Sequence, residues 1–291
     1  MKALSPLTWH PALVGALAVA AGAYLVVTRR DTFAVSRSEQ RRFAAATVLV
    51  YVVCAWPLGD LAAHVSITAV VVQRLVLMLA VAPLLLGGLP DLLIAGLTRH
   101  RTVDRVVRTL VHPAVAIVVV TVVGTMTLLP PVISWGSASA QAGGVFIAVT
   151  LGLGIVLWMP VLGSIPGLPK LSNTAKGGYL LAASLVVTSL SFVWIFARHP
   201  LYGSLTHQVR ILGISPLLDQ QLAGFVSKLG AYFPMWAIAF VLFARAGDGG
   251  ESDEPDLRWV DVQRELERVD RDSSADPAAG PANSNPPTVA S

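Results

Sequence analysis

The chain is 291 residues long, 54% hydrophobic and only 13% charged, with a mean hydropathy of +0.67, whereas soluble domains carry about 25% charged residues. This excludes an ordinary soluble domain and makes lipid the solvent for most of the chain. The net charge of +4 does not point to a nucleic-acid partner, because the basic residues fall in short clusters between apolar runs, where membrane topology requires them.

Seven runs approach the roughly 20 apolar residues that a bilayer core demands. They fall at about 11–28, 43–58, 67–87, 110–129, 143–163, 179–197 and 222–244. The first ends in Arg29-Arg30 rather than at a small-residue cleavage site, so it is expected to be a retained helix and not a signal peptide. Arg29, Arg30, Arg37, Arg41 and Arg42 fill the first loop, Arg99, Arg101, Arg105 and Arg108 the third, Lys170 and Lys176 the fifth. By the positive-inside rule these loops are cytoplasmic, and the alternate loops around 59–66, 130–142 and 198–221 face outward. The expected fold is an all-α integral membrane protein: one domain over 1–245, a bundle of seven transmembrane helices, N-terminus outside and C-terminus cytoplasmic. Residues 246–291 form a cytoplasmic tail. Trp259, Val262, Leu266 and Val269 space a short amphipathic helix at about 256–270, followed by a Pro/Ser/Asn/Ala stretch expected to be disordered.

No phosphate loop, nucleophile elbow or HExxH motif occurs, and most of the 17 Asp and Glu residues lie in loops or the tail. An enzyme is therefore not expected. Attention falls on polar groups at membrane depth, which are costly in hydrocarbon without a partner. Arg74, with Gln73 beside it, lies a third to halfway along the third run, where a charge costs about 2.5–3.5 kcal/mol on insertion scales. Either it finds an acceptor in Asp60, Asp219 or the carbonyls of a neighbouring helix, or it snorkels to the outer surface. Lys228 is expected to snorkel. Asp219, Gln220 and Gln221 enter the last helix together, and Asp219 is placed to cap a helix opening at Gln220. The outward His64, His199 and His207, with Cys54, are soft or borderline donors that suit copper, but their spacing defines no site.

Trp9-His10-Pro11, Arg41-Arg42-Phe43, the stretch from Ser66 through Gln73-Arg74-Leu75, and Ala82-Pro83 through Gly87-Gly88-Leu89-Pro90 carry a resemblance to a known family. It continues through Trp158-Met159-Pro160, Pro200-Leu201-Tyr202 and Asp219-Gln220-Gln221-Leu222-Ala223-Gly224. Over roughly 6–245 the sequence resembles the CtaG-like membrane proteins that assist cytochrome c oxidase assembly, for which copper delivery is the proposed role. The resemblance implies oxidase subunits as partners, a multi-pass place in the cell membrane, and copper as the metal concerned. It also exposes a departure. The family's His-Met-x-Gln-His pattern in helix three is Val70-Val71-Val72-Gln73-Arg74 in this chain, and Leu128 and Ile147 stand where the family has further histidines. Arginine cannot ligate Cu(I), and its fixed charge opposes a cation beside it. The expectation is an oxidase-assembly factor with a degenerate copper site. A relocated outer site on Cys54, His64, His199 and His207 is the competing arrangement, and a transporter of a small solute or metal ion, with a passage along Gln73, Arg74 and Asp219, the competing function.

Overall fold

The computed structural model describes residues 11–28, 35–55, 57–89, 101–162, 171–202 and 213–248, and every regular element among them is helical. His10, His207 and the expected amphipathic helix at 256–270 lie outside the described residues.

Helix α1 (Pro11–Thr28) is followed by α2 (Arg37–Cys54), whose start is fixed by a reciprocal capping box between Ser36 and Glu39. Pro57 then cannot continue the amide ladder, and the chain bends by 48° into the short α3 (Leu58–His64). Helix α4 (Ile67–Leu86) opens at Ser66, whose hydroxyl accepts from the Ala69 amide. Past Arg74 it loosens into a π turn at Leu77–Val81. The cause is Pro83, which brings no N–H to the ladder and leaves carbonyls one turn back without their donor. The Trp158 indole donates to the Met78 carbonyl at 2.9 Å, supplying the missing bond from another helix.

Helix α5 (Arg101–Val111) meets α6 (Pro113–Met126) at a bend of 92°. Pro130 opens the short α7 (Pro130–Gly136), and α8 (Ala140–Leu162) runs through the core. Helix α9 (Asn173–Val187) continues after a one-turn break into α10 (Leu190–Ile195), and α11 (Pro216–Asp248) closes the bundle. By length and composition α4, α8, the α9–α10 pair and α11 can each cross a membrane, and the two bent pairs α2–α3 and α5–α6 raise the candidates from four to six. The expected runs thus emerge as helices, but two of them contain sharp bends that apolar composition does not reveal.

Helix α4 is the axis of the packing. Half of its span is buried, against 39% for α8 and 17% for α11. Its residues enter all three apolar clusters: Ile67, Val70 and Val71 with Trp194, Tyr202 and Ala223; Leu77 and Val81 with Ala46 and Val50; Met78 and Ala82 with Leu157, Leu180 and Met235. Gly154 brings α8 into close contact at the π turn, where a Cβ would lie 2.8 Å from both the Met78 Cα and the Ala82 Cβ. Outward, Val19, Phe196 and Phe233 are more than 70% exposed and belong to a long series of exposed large apolar side chains. Water would not tolerate so continuous an apolar exterior, and hydrocarbon does.

Candidate functional site

Asp219 does not cap its own helix at Gln220. Helix α11 already begins at Pro216, with the Ser215 hydroxyl accepting from the Leu218 amide. The Asp219 carboxylate, 4% exposed, reaches across to the opening of α4. It accepts from the Ser66 hydroxyl at 2.6 Å, the Ile67 amide at 2.8 Å and the Thr68 amide at 3.4 Å, while the Thr68 hydroxyl donates to the Asp219 carbonyl at 2.7 Å. An anion at this end complements the α4 dipole, and the orphan amides of the first turn gain a charged acceptor.

The two glutamines extend this junction. Gln220 accepts from the Leu201 amide through Oε1 at 2.7 Å, while its buried Nε2 finds no partner among the described residues. Gln221 donates to the Ala197 carbonyl, just past the end of α10, at 3.3 Å. In the same layer the Tyr202 hydroxyl donates to the Leu128 carbonyl at 2.7 Å, and burial pushes its phenol up to about 12, which keeps the proton in that bond. Asp-Gln-Gln thus fastens one helix start to α4 and to the 197–202 segment.

Gln73 and Arg74 serve helix ends as well. Pro57 removes the amide that would have bonded the Val53 carbonyl at the end of α2, and Gln73 Nε2 donates there at 3.0 Å. Arg74 is 8% exposed and does not snorkel. Of its expected acceptors it takes a neighbouring-helix carbonyl, not Asp60 or Asp219. One terminal nitrogen donates to Thr127 Oγ1 at 2.8 Å and the other to the Gly124 carbonyl at 3.3 Å. Gly124 lies in the last turn of α6, where a cation suits the negative end of the dipole. A Cβ at Gly124 would come within 2.8 Å of the guanidinium, so glycine is what lets the charge reach the backbone. Among the described residues no carboxylate pairs with Arg74. Lys228 is half-buried, with its ammonium 3.2 Å from Thr188 Oγ1 and over the Phe192 and Tyr232 rings at 4.3 and 4.4 Å.

Among the described residues the metal candidates Cys54, His64 and His199 are not brought together. Cys54 is buried in α2, His64 and His199 are exposed, and among the described residues no three His, Cys, Asp or Glu side chains group as ligands would. His207 lies outside those residues. Sequence reasoning missed the roles of Ser66 and Thr68, although a Ser-x-Thr before an apolar run is a legible helix start. It also missed Gly124 and Thr127, for which no sequence signal exists, since only packing sets α6 against α4.

A chain whose described elements are all helical, with four to six apolar candidate spans, an apolar exterior and buried charges fixed at helix termini, is a helical membrane protein. The model of the cytochrome c oxidase caa3 assembly factor family matches residues 21–247. The chain belongs to that family. No curated protein and no solved structure matches it.

Proposed function

We propose that this chain is a non-enzymatic, multi-pass assembly factor of the cell membrane for a haem-copper cytochrome c oxidase, acting through lateral contacts with oxidase subunits. The observation that carries the reading is the family match, which spans nearly the whole helical bundle. Four candidate spans, two bent pairs and the shorter apolar helix α1 support a count of seven, with the N-terminus outside. The arginines of the first and third loops support a cytoplasmic C-terminus, and residues 246–291 would form a tail on that side. Helix α5, with Arg101, Arg105 and Arg108 among valines, suits the cytoplasmic membrane surface.

The copper site is proposed to be degenerate. At the helix-three position Val70 has no donor atom, and Arg74 directs a guanidinium at Thr127 and Gly124. Met78 and Met235 line the same small cavity as Arg74, but its fixed positive charge opposes a Cu(I) ion between them. These residues do not fit the metal.

Affinity purification of the tagged chain from its native membrane, followed by subunit identification and anaerobic Cu(I) titration, tests both parts. Oxidase subunits are expected to co-purify, and copper is expected to stay substoichiometric until a Val70→His, Arg74→His double variant supplies ligands. Purification without oxidase subunits would overturn the partnership. One tightly held copper per natural chain would overturn the degenerate site.

A further inference from the structure

Arg74 lines a cavity of about 40 Å³ in the middle of the bundle, together with Thr188, Ser227, Met78, Met235 and apolar side chains. One water needs about 10–15 Å³, so the space holds a few waters or one small ion and excludes a lipid headgroup with its chains. Its polar lining is biased. The guanidinium has five N–H donors, of which two are engaged by Thr127 and Gly124. Thr188 Oγ1 already donates to the Ser184 carbonyl and receives the Lys228 ammonium. The Ser227 hydroxyl makes no hydrogen bond among the described residues. The cavity therefore presents unspent donors, a buried fixed cation and a second cation at its Thr188 edge. The buried acid on α11, Asp219, is committed to the start of α4.

A guanidinium more than nine-tenths buried, without a counter-charge among the described residues, is an arrangement that hydrocarbon penalises. We infer that this cavity is a binding site for a small monovalent inorganic anion of the chloride class, held by Arg74 and Ser227. One negative charge neutralises the buried Arg74 guanidinium. A divalent anion would carry a larger desolvation cost, and Lys228, which could meet its second charge, does not line the cavity. A metal cation is repelled by the same guanidinium. The site is independent of the assembly role and would stand without it.

The experiment is thermal unfolding of the full-length protein in detergent, titrating chloride against gluconate at constant ionic strength and pH. Chloride is expected to raise the midpoint in proportion to ln(1 + c/Kd), where c is the chloride concentration, by about 2–4 °C at roughly five times Kd. Sulfate at equal ionic strength is expected to leave it at the gluconate value. Arg74→Gln is expected to abolish the response, and Ser227→Ala to raise the chloride Kd fitted from the midpoints about tenfold. Should Arg74→Gln fail to fold, Ser227→Ala decides alone. Equal midpoints of the natural protein in chloride and gluconate would overturn the site, as would a rise unchanged in Ser227→Ala or a response shared by sulfate.

Discussion

Among the described residues Arg74 and Asp219 are the two buried charges that flank the first turns of α4, and they differ in what their removal leaves behind. Without the Asp219 carboxylate, the Ser66 hydroxyl and the Ile67 and Thr68 amides lose a common acceptor in a dry place. Asp219→Ala is therefore expected to cost about 3 kcal/mol or more, since each orphaned buried group costs roughly 1–3 kcal/mol. Arg74 leaves no such debris. Thr127 Oγ1 already donates to the Gly124 carbonyl at 2.7 Å, so that acceptor stays satisfied when the guanidinium is gone. Arg74→Met in chloride-free buffer is accordingly expected to fall within about 1 kcal/mol of the natural stability, or above it. Parallel thermal unfolding of both variants checks the contrast, and an equal loss in both would show that Arg74 holds the bundle as Asp219 does. The expected contrast would assign Arg74, at a depth where charge is costly, to binding or partnership and not to stability.

At the scale of elements, two proline breaks are each matched by a polar side chain from another helix. Pro57 frees the Val53 carbonyl for Gln73, and Pro83 frees the carbonyl that Trp158 takes. The far end of α4 is held by Arg42 on the Gly87 carbonyl and Tyr24 on the Gly88 carbonyl. Low dielectric imposes this pattern, because a freed backbone group has no water to turn to. Trp158→Phe is expected to cost about 1–3 kcal/mol by stranding the Met78 carbonyl. Pro83→Ala restores an amide there, so the double variant is expected to lose less than the sum of the two single losses in a double-mutant cycle. Strict additivity would separate Trp158 from the π turn. The close approach of α8 gives a second check. Gly154→Ala drives a methyl into the α4 backbone and is expected to destabilise by about 1–3 kcal/mol. Gly152→Ala meets nothing within 4 Å and is expected to be neutral or to gain up to about 1 kcal/mol of helix propensity.

For the whole molecule, the testable property is sidedness. The single cysteine, Cys54, is buried, so new cysteines can be read against a quiet background. With seven spans and the N-terminus outside, exposed Ala138→Cys before α8 and Thr174→Cys at the start of α9 lie on opposite sides. A membrane-impermeant maleimide applied to intact cells is expected to label Ala138→Cys, and Thr174→Cys only after permeabilisation. Labelling of both from one side would break the seven-span reading. Among the described residues the clustering at α4 also brings together stretches that carry the resemblance and are scattered in sequence. Ser66 to Leu75, Ala82-Pro83, Trp158 and Asp219 to Gly224 all meet on or beside that one helix.

The sequence by itself determined the solvent, the positions of the apolar helices and the family, because hydrophobic run length, basic clusters and the Asp-Gln-Gln and Gln-Arg stretches are local and survive without knowledge of contacts. It also placed the costly charges, since Arg74 within an apolar run is visible on inspection. Their partners could not be read from it. Asp219 looked like the cap of its own helix because capping is ordinarily local, yet the tertiary structure gives it to Ile67 and Thr68. Arg74 could have met an acid, a carbonyl or the surface, and packing of α6 against α4 through Gly124 chose the carbonyl. Periodicity reports which residues avoid water, whereas a hydrogen bond between helices depends on their relative rotation and depth. Those are fixed only when Gly124, Gly154 and the proline breaks are packed together.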